Sequence, residues 1–307
     1  MKKALFFILF ITSITSFGQD YNLIIGDLIR ENRYDKIPSV LNKWQKSEPD
    51  NSDMYIAFYN YYINKTESKL IRISSKDMNL NSGSPIVVYY NNFIHQIDSN
   101  NLAIANKYLN EGITKNPKRL DMYWLKISQL IDIGNIEGFF SEIYKLLDLN
   151  NDKKWKWLRF NDVLITSQED VFNDRIANYI NEILNHGIPH TTETIELTEK
   201  MIIQNPFDLS FYILLSRCYM ELGEWDKALN LLRNINSKKT NSKFRLSLPE
   251  LRDVEIKFLT ARCYYELSDL KNAKKYYKKV VNHKYKIMLD QIAKDEITKI
   301  NKLNKSK

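Results

Sequence analysis

The residues of this chain that could support chemistry are few and widely separated. Four histidines and two cysteines occur in 307 residues: His95, His186, His190, His283, Cys218 and Cys263. The spacing of His186 and His190 would place two imidazoles on one helix face, but the intervening Gly187-Ile188-Pro189 is incompatible with a helix. We therefore predict no metal site in this chain.

The sequence also lacks the motifs of common catalytic sites. It contains no Gly-rich phosphate loop, no Gly-x-Ser-x-Gly elbow and no His-Glu-x-x-His pair. The acidic pairs Glu169-Asp170 and Asp295-Glu296 are adjacent residues, which point apart on a helix. We predict no catalytic residue and no cofactor, and a hydrolase with a scattered active site remains an alternative.

The N-terminus has the pattern of an export signal. Lys2-Lys3 precede an apolar run from Ala4 to Phe17, and Ser16 and Gly18 are the small residues that a signal peptidase requires. A membrane anchor is the alternative, but the run is shorter than the roughly 20 residues that span a bilayer. We expect an exported chain that begins near Gln19, is periplasmic or envelope-associated in a bacterium, and has no transmembrane segment after cleavage.

The net charge of +8 is concentrated at the C-terminus. Residues 271–307 carry +9 and the two N-terminal lysines +2, which leaves the intervening chain at −3. A solvated basic helix and tail account for this distribution, and attraction to an anionic surface or an acidic partner is the alternative. An exported protein is not expected to meet nucleic acid, so we predict no nucleic-acid partner.

Self-similarity shows which elements organise the chain. Residues 116–135 and 205–224 align without a gap, and a third copy covers 254–270, where Ser268 takes the place of a glycine. Both of the first two copies start with Asn-Pro and then share three residue types: Leu120 and Leu209, Tyr123 and Tyr212, Gly134 and Gly223. Repetition of this kind is typical of stacked helical hairpins.

The clearest copy is 209–235. It reads Tyr212-x2-Leu215-Ser216-x2-Tyr219, followed by Gly223, Trp225 and Ala228-x3-Leu232, and the next unit repeats Ala261-x2-Tyr264 and Ala273-x3-Tyr277. This resembles the tetratricopeptide repeat in every interval. The resemblance implies an all-α fold, a right-handed solenoid of degenerate helical hairpins, and it is most specific over 205–281.

The two cysteines occupy equivalent places in successive units, within Arg217-Cys218-Tyr219 and Arg262-Cys263-Tyr264. Helices that stack side by side lie about 10 Å apart. That separation exceeds the Cα distance of about 7 Å that a disulfide tolerates. We predict two separate buried thiols.

The spacing of the prolines indicates interruptions in the repeat array. Pro49 and Pro117 are two 34-residue periods apart, whereas Pro206 follows after two units plus about 21 residues, or after three irregular hairpins. The sequence predicts the interruptions chiefly at 66–90 and 150–190. We expect a helix over 53–64, an inserted loop or short β-hairpin near 66–90, a helix over 102–114 with Ala105, Leu109 and Gly112 at its packed positions, and a loop over 236–249.

These patterns divide the chain into a signal peptide (1–18), a repeat domain (19–283) and a basic C-terminal helix or tail (284–307). In proteins with this repeat, the first helices of the hairpins line the concave face. When the concave-face positions of the repeat are mapped onto this sequence, they give seven candidate partner-binding residues: Trp124, Ile213, Arg217, Met220, Phe258, Arg262 and Tyr265. Local pairing of Arg217 with Glu221 and of Arg262 with Glu266 is the alternative to partner binding.

The function that follows is a non-catalytic scaffold of the cell envelope that binds a protein or a peptide through its concave face. A structural or accessory component of an envelope or secretion assembly is the alternative. Such a component would use the edges and the Lys-rich end of the solenoid instead of its inner wall.

Overall fold

A computed structural model describes residues 20–66, 98–151, 156–185, 191–235, 249–281 and 287–303. Thirteen helices lie within these ranges: α1 Tyr21–Arg30, α2 Ile37–Ser47, α3 Ser52–Thr66, α4 Ser99–Lys115, α5 Leu120–Asp132, α6 Ile136–Asn150, α7 Gln168–Asn185, α8 Thr191–Gln204, α9 Leu209–Glu221, α10 Trp225–Ile235, α11 Pro249–Glu266, α12 Leu270–Val280 and α13 Ile287–Leu303. The strands β1 Leu158–Arg159 and β2 Val163–Leu164 form a small antiparallel hairpin.

The helices pack as a linear series of hairpins. Six pairs of consecutive helices contact each other: α1/α2, α3/α4, α5/α6, α7/α8, α9/α10 and α11/α12. In every pair except α5/α6, the second helix also contacts the helix that follows it, so that α13 packs on α12. A helix with one apolar stripe requires a neighbour on that side, and stacking supplies one. The predicted all-α solenoid of helical hairpins is confirmed.

The corners of the hairpins repeat one backbone geometry. Four first helices end in a residue with positive φ, at Asn32, Gly134, Gly223 and Ser268. At each corner two backbone N–H groups donate to carbonyl oxygens of the last helical turn. After α9, the N–H of Gly223 donates to the carbonyl of Met220 at 3.1 Å and the N–H of Glu224 to the carbonyl of Tyr219 at 2.8 Å. This is the Schellman pattern, which satisfies the free carbonyls at a helix end. Ser268 thus takes the place of glycine in structure as well as in sequence.

A second repeated feature fixes the junction before three first helices. The hydroxyl of a tyrosine donates to the carbonyl oxygen of the proline six residues earlier, from Tyr55 to Pro49 at 3.1 Å and from Tyr212 to Pro206 at 3.1 Å. Tyr123 and Pro117 make the same bond at 3.3 Å. Because the proline prevents continuation of the preceding helix, the bond ties the turn to the new helix.

Small residues allow the paired helices to approach closely. Ala105 and Leu109 of α4 are fully buried, as predicted, and Gly112 lies against α3. A Cβ atom added to Gly112 would lie 2.7 Å from Cβ of Tyr55, which is shorter than van der Waals contact. The predicted helices over 53–64 and 102–114 are confirmed as α3 and α4.

The interval between Pro117 and Pro206 contains two hairpins, α5/α6 and α7/α8, with the β1–β2 hairpin inserted between them. The insertion is joined to the turn before α5 by a hydrogen bond from the N–H of Leu158 to the carbonyl of Lys118 at 2.8 Å. It also contains fully buried Trp157, whose indole N–H donates to Asn150 at 2.8 Å. The sequence allowed either two units plus extra residues or three irregular hairpins in this interval. The structure shows two units plus extra residues.

Several sequence predictions lie outside the described residues. These are the signal peptide, almost all of the insertion near 66–90, the loop at 236–248, the four histidines and residues 304–307. No described helix combines the length and the apolar character that membrane crossing requires.

A buried charged cluster, which the sequence patterns did not predict, joins α3, α5 and the insertion. The side chain of Arg119 is fully buried and pairs with Asp53 at 2.5 Å, Asp121 at 2.8 Å and Asp162 at 3.1 Å. It also donates to the hydroxyl of Ser52. Burial opposes the charged form, but hydrogen bonds and charges from Asp121 and Asp53 outweigh it and raise the pKa of Arg119.

Candidate partner-binding surface

Trp124 packs between consecutive first helices and does not line an open surface. Its side chain is 7% exposed, and its ring lies 5.4 Å from the ring of Phe172 and 5.8 Å from that of Tyr179, both on α7. The hydroxyl of Tyr179 donates to the carbonyl of Trp124 at 3.0 Å. The prediction that Trp124 faces a partner is corrected, because α7 covers the position that an open inner wall would leave free.

Ile213 and Met220 of α9 are also core residues. They are 1% and 6% exposed and belong to the same apolar cluster as Val254 and Leu259 of α11. Their assignment to a partner surface is corrected for the same reason as that of Trp124. These apolar positions are buried in the core, so polar and terminal positions of α9 are left for a ligand.

Arg217 lies half-buried at the junction of α7 and α9. Its guanidinium donates to the side-chain oxygen of Asn181 at 2.5 Å and to that of Asn185 at 2.7 Å. Two neutral amide acceptors from the preceding hairpin thus hold Arg217. The sequence had offered pairing with Glu221 as the alternative to partner binding. Neutral acceptors orient the guanidinium and leave its positive charge available to a ligand.

Arg262 occupies the equivalent position on α11 and is exposed. Its guanidinium lies 5.9 Å from the centre of the Trp225 ring, a cation–π arrangement that orients the side chain without neutralising it. Phe258 and Tyr265 of the same helix are half-buried, and the ring of Phe258 meets that of Tyr277 edge-on at 5.9 Å.

The two arginines lie close enough to influence each other. The pKa of Arg217 is lowered, chiefly by burial and in part by the positive charge of Arg262, while Glu255 and Glu221 act in the opposite direction. Arg217 and Arg262 also occupy equivalent positions on the consecutive first helices α9 and α11, and Phe258, Arg262 and Tyr265 are spaced i, i+4 and i+7 along one face of α11. We call Arg217, Phe258, Arg262 and Tyr265 the arginine surface.

The two cysteines next to these arginines are buried free thiols, as predicted. Burial raises the pKa of Cys218 and that of Cys263 to about 12. At neutral pH both side chains are neutral and act as small apolar residues of the core.

The last full hairpin is the part of the chain that matches a known repeat family. Residues 256–283 match the family model for the tetratricopeptide repeat. They cover most of α11 and all of α12, where Ala261 and Ala273 are fully buried between the paired helices and Ser268 forms the corner. Over these residues the chain is similar to the tetratricopeptide repeat. Three of the four residues of the arginine surface lie inside the matched segment.

Three solved structures similar to this chain have low sequence identity to it. The C-terminal part of a repeat-containing protein from Cytophaga hutchinsonii has 15% identity and a TM-score of 0.48, over 92% of this chain and 86% of that one. PilW, described as a widely conserved type IV pilus biogenesis factor, has 11% identity and a TM-score of 0.43, over 90% and 99%. Pseudomonas aeruginosa PilF has 10% identity and a TM-score of 0.41, over 90% and 96%. Among curated proteins, no significant match is found.

Proposed function

We propose that this protein is a non-catalytic scaffold that binds another protein, or an extended peptide of one, across α9 and α11. The supporting observation is that Arg217 and Arg262 occupy equivalent positions one repeat apart, and that half-buried Phe258 and Tyr265 lie on the same face of α11 as Arg262. Arginine and aromatic residues supply most of the binding energy in protein interfaces, because they combine large area with directed hydrogen bonds.

The chemistry of the arginine surface favours an acidic segment. Asn181 and Asn185 orient Arg217 before binding, so less side-chain entropy is lost when a carboxylate pairs with it. Arg262 offers a second planar donor group in the next repeat. Carboxylates of an extended chain would meet the two guanidiniums in turn, and apolar side chains would meet Phe258 and Tyr265.

Selection from a phage-displayed library of random peptides tests this proposal. We expect enriched peptides to contain acidic and aromatic residues, and the double variant Arg217→Gln/Arg262→Gln to lose at least about tenfold in affinity for them. The matched control is Arg30→Gln/Arg33→Gln, which removes two exposed arginines from the α1–α2 hairpin. Peptides that bind the double variant as well as the unchanged protein would contradict the proposal.

A role as a component of a larger assembly is a second candidate, and one observation favours it. The inserted β1–β2 hairpin exposes three apolar side chains: Phe160 (46%), Val163 (46%) and Leu164 (45%). The buried ion pairs of Arg119 hold this hairpin against α3 and α5. An exposed apolar tip on a fixed support suits a contact at the edge of the solenoid. Replacement of the three residues by serine would abolish assembly and leave peptide binding by the arginine surface unchanged.

We also propose that the protein acts outside the cytoplasm, in the periplasm or at the envelope. The basic and apolar pattern of residues 1–18 supports this location. Fractionation of cells that express a tagged chain, with N-terminal sequencing of the product, tests it. A product that retains residues 1–18 in the cytoplasmic fraction would contradict the proposal.

A further inference from the structure

One face of α12 consists of lysine. Five of its eleven residues are lysines, and no acidic residue occurs between Leu270 and Val280. At the α-helical spacing of about 100° per residue, these five side chains fall within an arc of roughly 140°. They are Lys271, Lys274, Lys275, Lys278 and Lys279, all exposed except half-buried Lys274. We call them the lysine face.

The opposite side of α12 fixes the direction of this face. Ala273, Tyr277 and Val280 are at most 2% exposed and belong to the core that α12 shares with α11 and α13. Because the helix cannot rotate without exposing these residues, the lysine face points away from the protein.

Within the described residues, no ion pair joins the lysine face to a carboxylate. Asp269, which caps the start of α12, interacts electrostatically with Lys271 and offsets part of its charge. Lys274 donates to the side-chain oxygen of Asn301, and the ammonium of Lys279 lies 4.5 Å from the centre of the Tyr276 ring. Asp290 of α13 pairs with Lys294 and Glu296 with Lys299, each at 2.6 Å, so these acids are used within α13.

We propose that the lysine face binds the surface of an anionic lipid bilayer. All five cations are lysines, which act as point charges and suit the diffuse charge of lipid headgroups, whereas a specific carboxylate or phosphate favours the planar guanidinium of arginine. None of the exposed large apolar residues lies on α12, so the helix rests among the headgroups without insertion.

The position of α12 in the fold suits a broad, flat partner. It is the second helix of the last full hairpin, whereas Arg217 and Arg262 lie on the first helices α9 and α11. A bilayer bound at the lysine face therefore leaves the arginine surface accessible. This inference does not depend on the proposed peptide binding, because the two surfaces have different residues and different ligands.

Co-sedimentation of the full chain with lipid vesicles tests the inference. We expect binding to vesicles that contain phosphatidylglycerol and a steep loss of that binding with added salt. Vesicles of phosphatidylcholine alone report any contribution of the apolar residues 4–17. Each lysine near an anionic surface strengthens partitioning about fivefold, so removal of four should weaken it by roughly 600-fold, nearly three orders of magnitude. The variant is Lys271→Gln, Lys275→Gln, Lys278→Gln and Lys279→Gln.

A control variant with the same change in net charge separates the lysine face from charge in general. It replaces four exposed lysines near the other end of the solenoid: Lys36→Gln, Lys43→Gln, Lys46→Gln and Lys107→Gln. We expect this control to keep most of the binding. Equal losses in both variants, or no preference for anionic over neutral vesicles, would overturn the proposal. So would tighter binding of duplex DNA than of the anionic vesicles at the same salt concentration.

Discussion

Replacement of Arg119 by methionine should destabilise the protein more than any exposed substitution. Methionine fills a similar volume but removes the cation that faces Asp53, whose side chain is only 6% exposed. A buried carboxylate without its partner typically costs about 3–5 kcal/mol. Asp121 and Asp162 are 27% and 59% exposed and would be solvated, so they add little.

The lower end of that range is the better expectation, about 3 kcal/mol, because Asp53 still accepts a hydrogen bond from the backbone N–H of Asn161 at 3.0 Å. With a urea dependence of roughly 2–3 kcal/mol/M, the unfolding midpoint should fall by about 1 M. The assay is urea unfolding followed by circular dichroism. Trypsin cleavage after Arg159 should also become faster, since the inserted hairpin loses the ion pair between Arg119 and Asp162 and keeps only its hydrogen bonds to α3.

Two controls make this prediction refutable. Arg30→Met removes an arginine that is 75% exposed and should change stability by less than about 0.5 kcal/mol. Asp53→Asn combined with Arg119→Met removes the unpaired charge and should restore a large part of the loss. If Arg119→Met behaves like Arg30→Met, or if the second substitution restores nothing, the buried charge is not what holds these segments together.

Three further outcomes are expected. Gly112→Ala should destabilise the protein by about 1–3 kcal/mol in urea unfolding, because the new methyl group would clash with α3. Gly223→Ala should lower stability and Ser268→Gly should raise it, each by about 1 kcal/mol, since both positions have positive φ; shifts of the same sign would contradict this. Burial raises the pKa of the thiols of Cys218 and Cys263 from 9.0 to about 12. Their contribution to the free energy of unfolding is therefore complete below about pH 9 and is lost as the pH rises towards 12. The double substitution of both cysteines by alanine should flatten the alkaline decline in the urea midpoint.

The hairpin architecture was predictable because its determinants are local. The small residues Ala228 and Ala273, and a corner residue five positions before each of them, lie close together in sequence and recur at fixed intervals. The equivalence of Ser268 with Gly223 followed from alignment alone, and both adopt positive φ. Local spacing therefore sufficed to place the hairpins and their corners.

The candidate surface was only partly predictable, because it depends on how consecutive hairpins stack. Trp124 and Ile213 occupy the positions of a ligand-facing wall in the repeat pattern, but here Trp124 packs against α7 and Ile213 is buried in the core that includes residues of α11. The cluster around Arg119 joins residues 53, 121 and 162, which no repeat spacing relates. Its only sequence signal was an arginine after Asn116-Pro117, a position that the copy at 205–224 fills with Asp208.

The recurring corners have a consequence for how such arrays diverge. Asn32 and Ser268 hold the same left-handed backbone as Gly134 and Gly223, at a cost of about 1 kcal/mol each, which the packing of a whole hairpin easily offsets. Substitutions can therefore remove the repeat motif from one copy while the packing of neighbouring hairpins maintains its backbone conformation. Solenoids of this kind would keep their architecture after most of their units had ceased to resemble one another in sequence. The hairpins α1/α2 and α3/α4, whose sequences resemble the repeat less than 205–281 does, are examples.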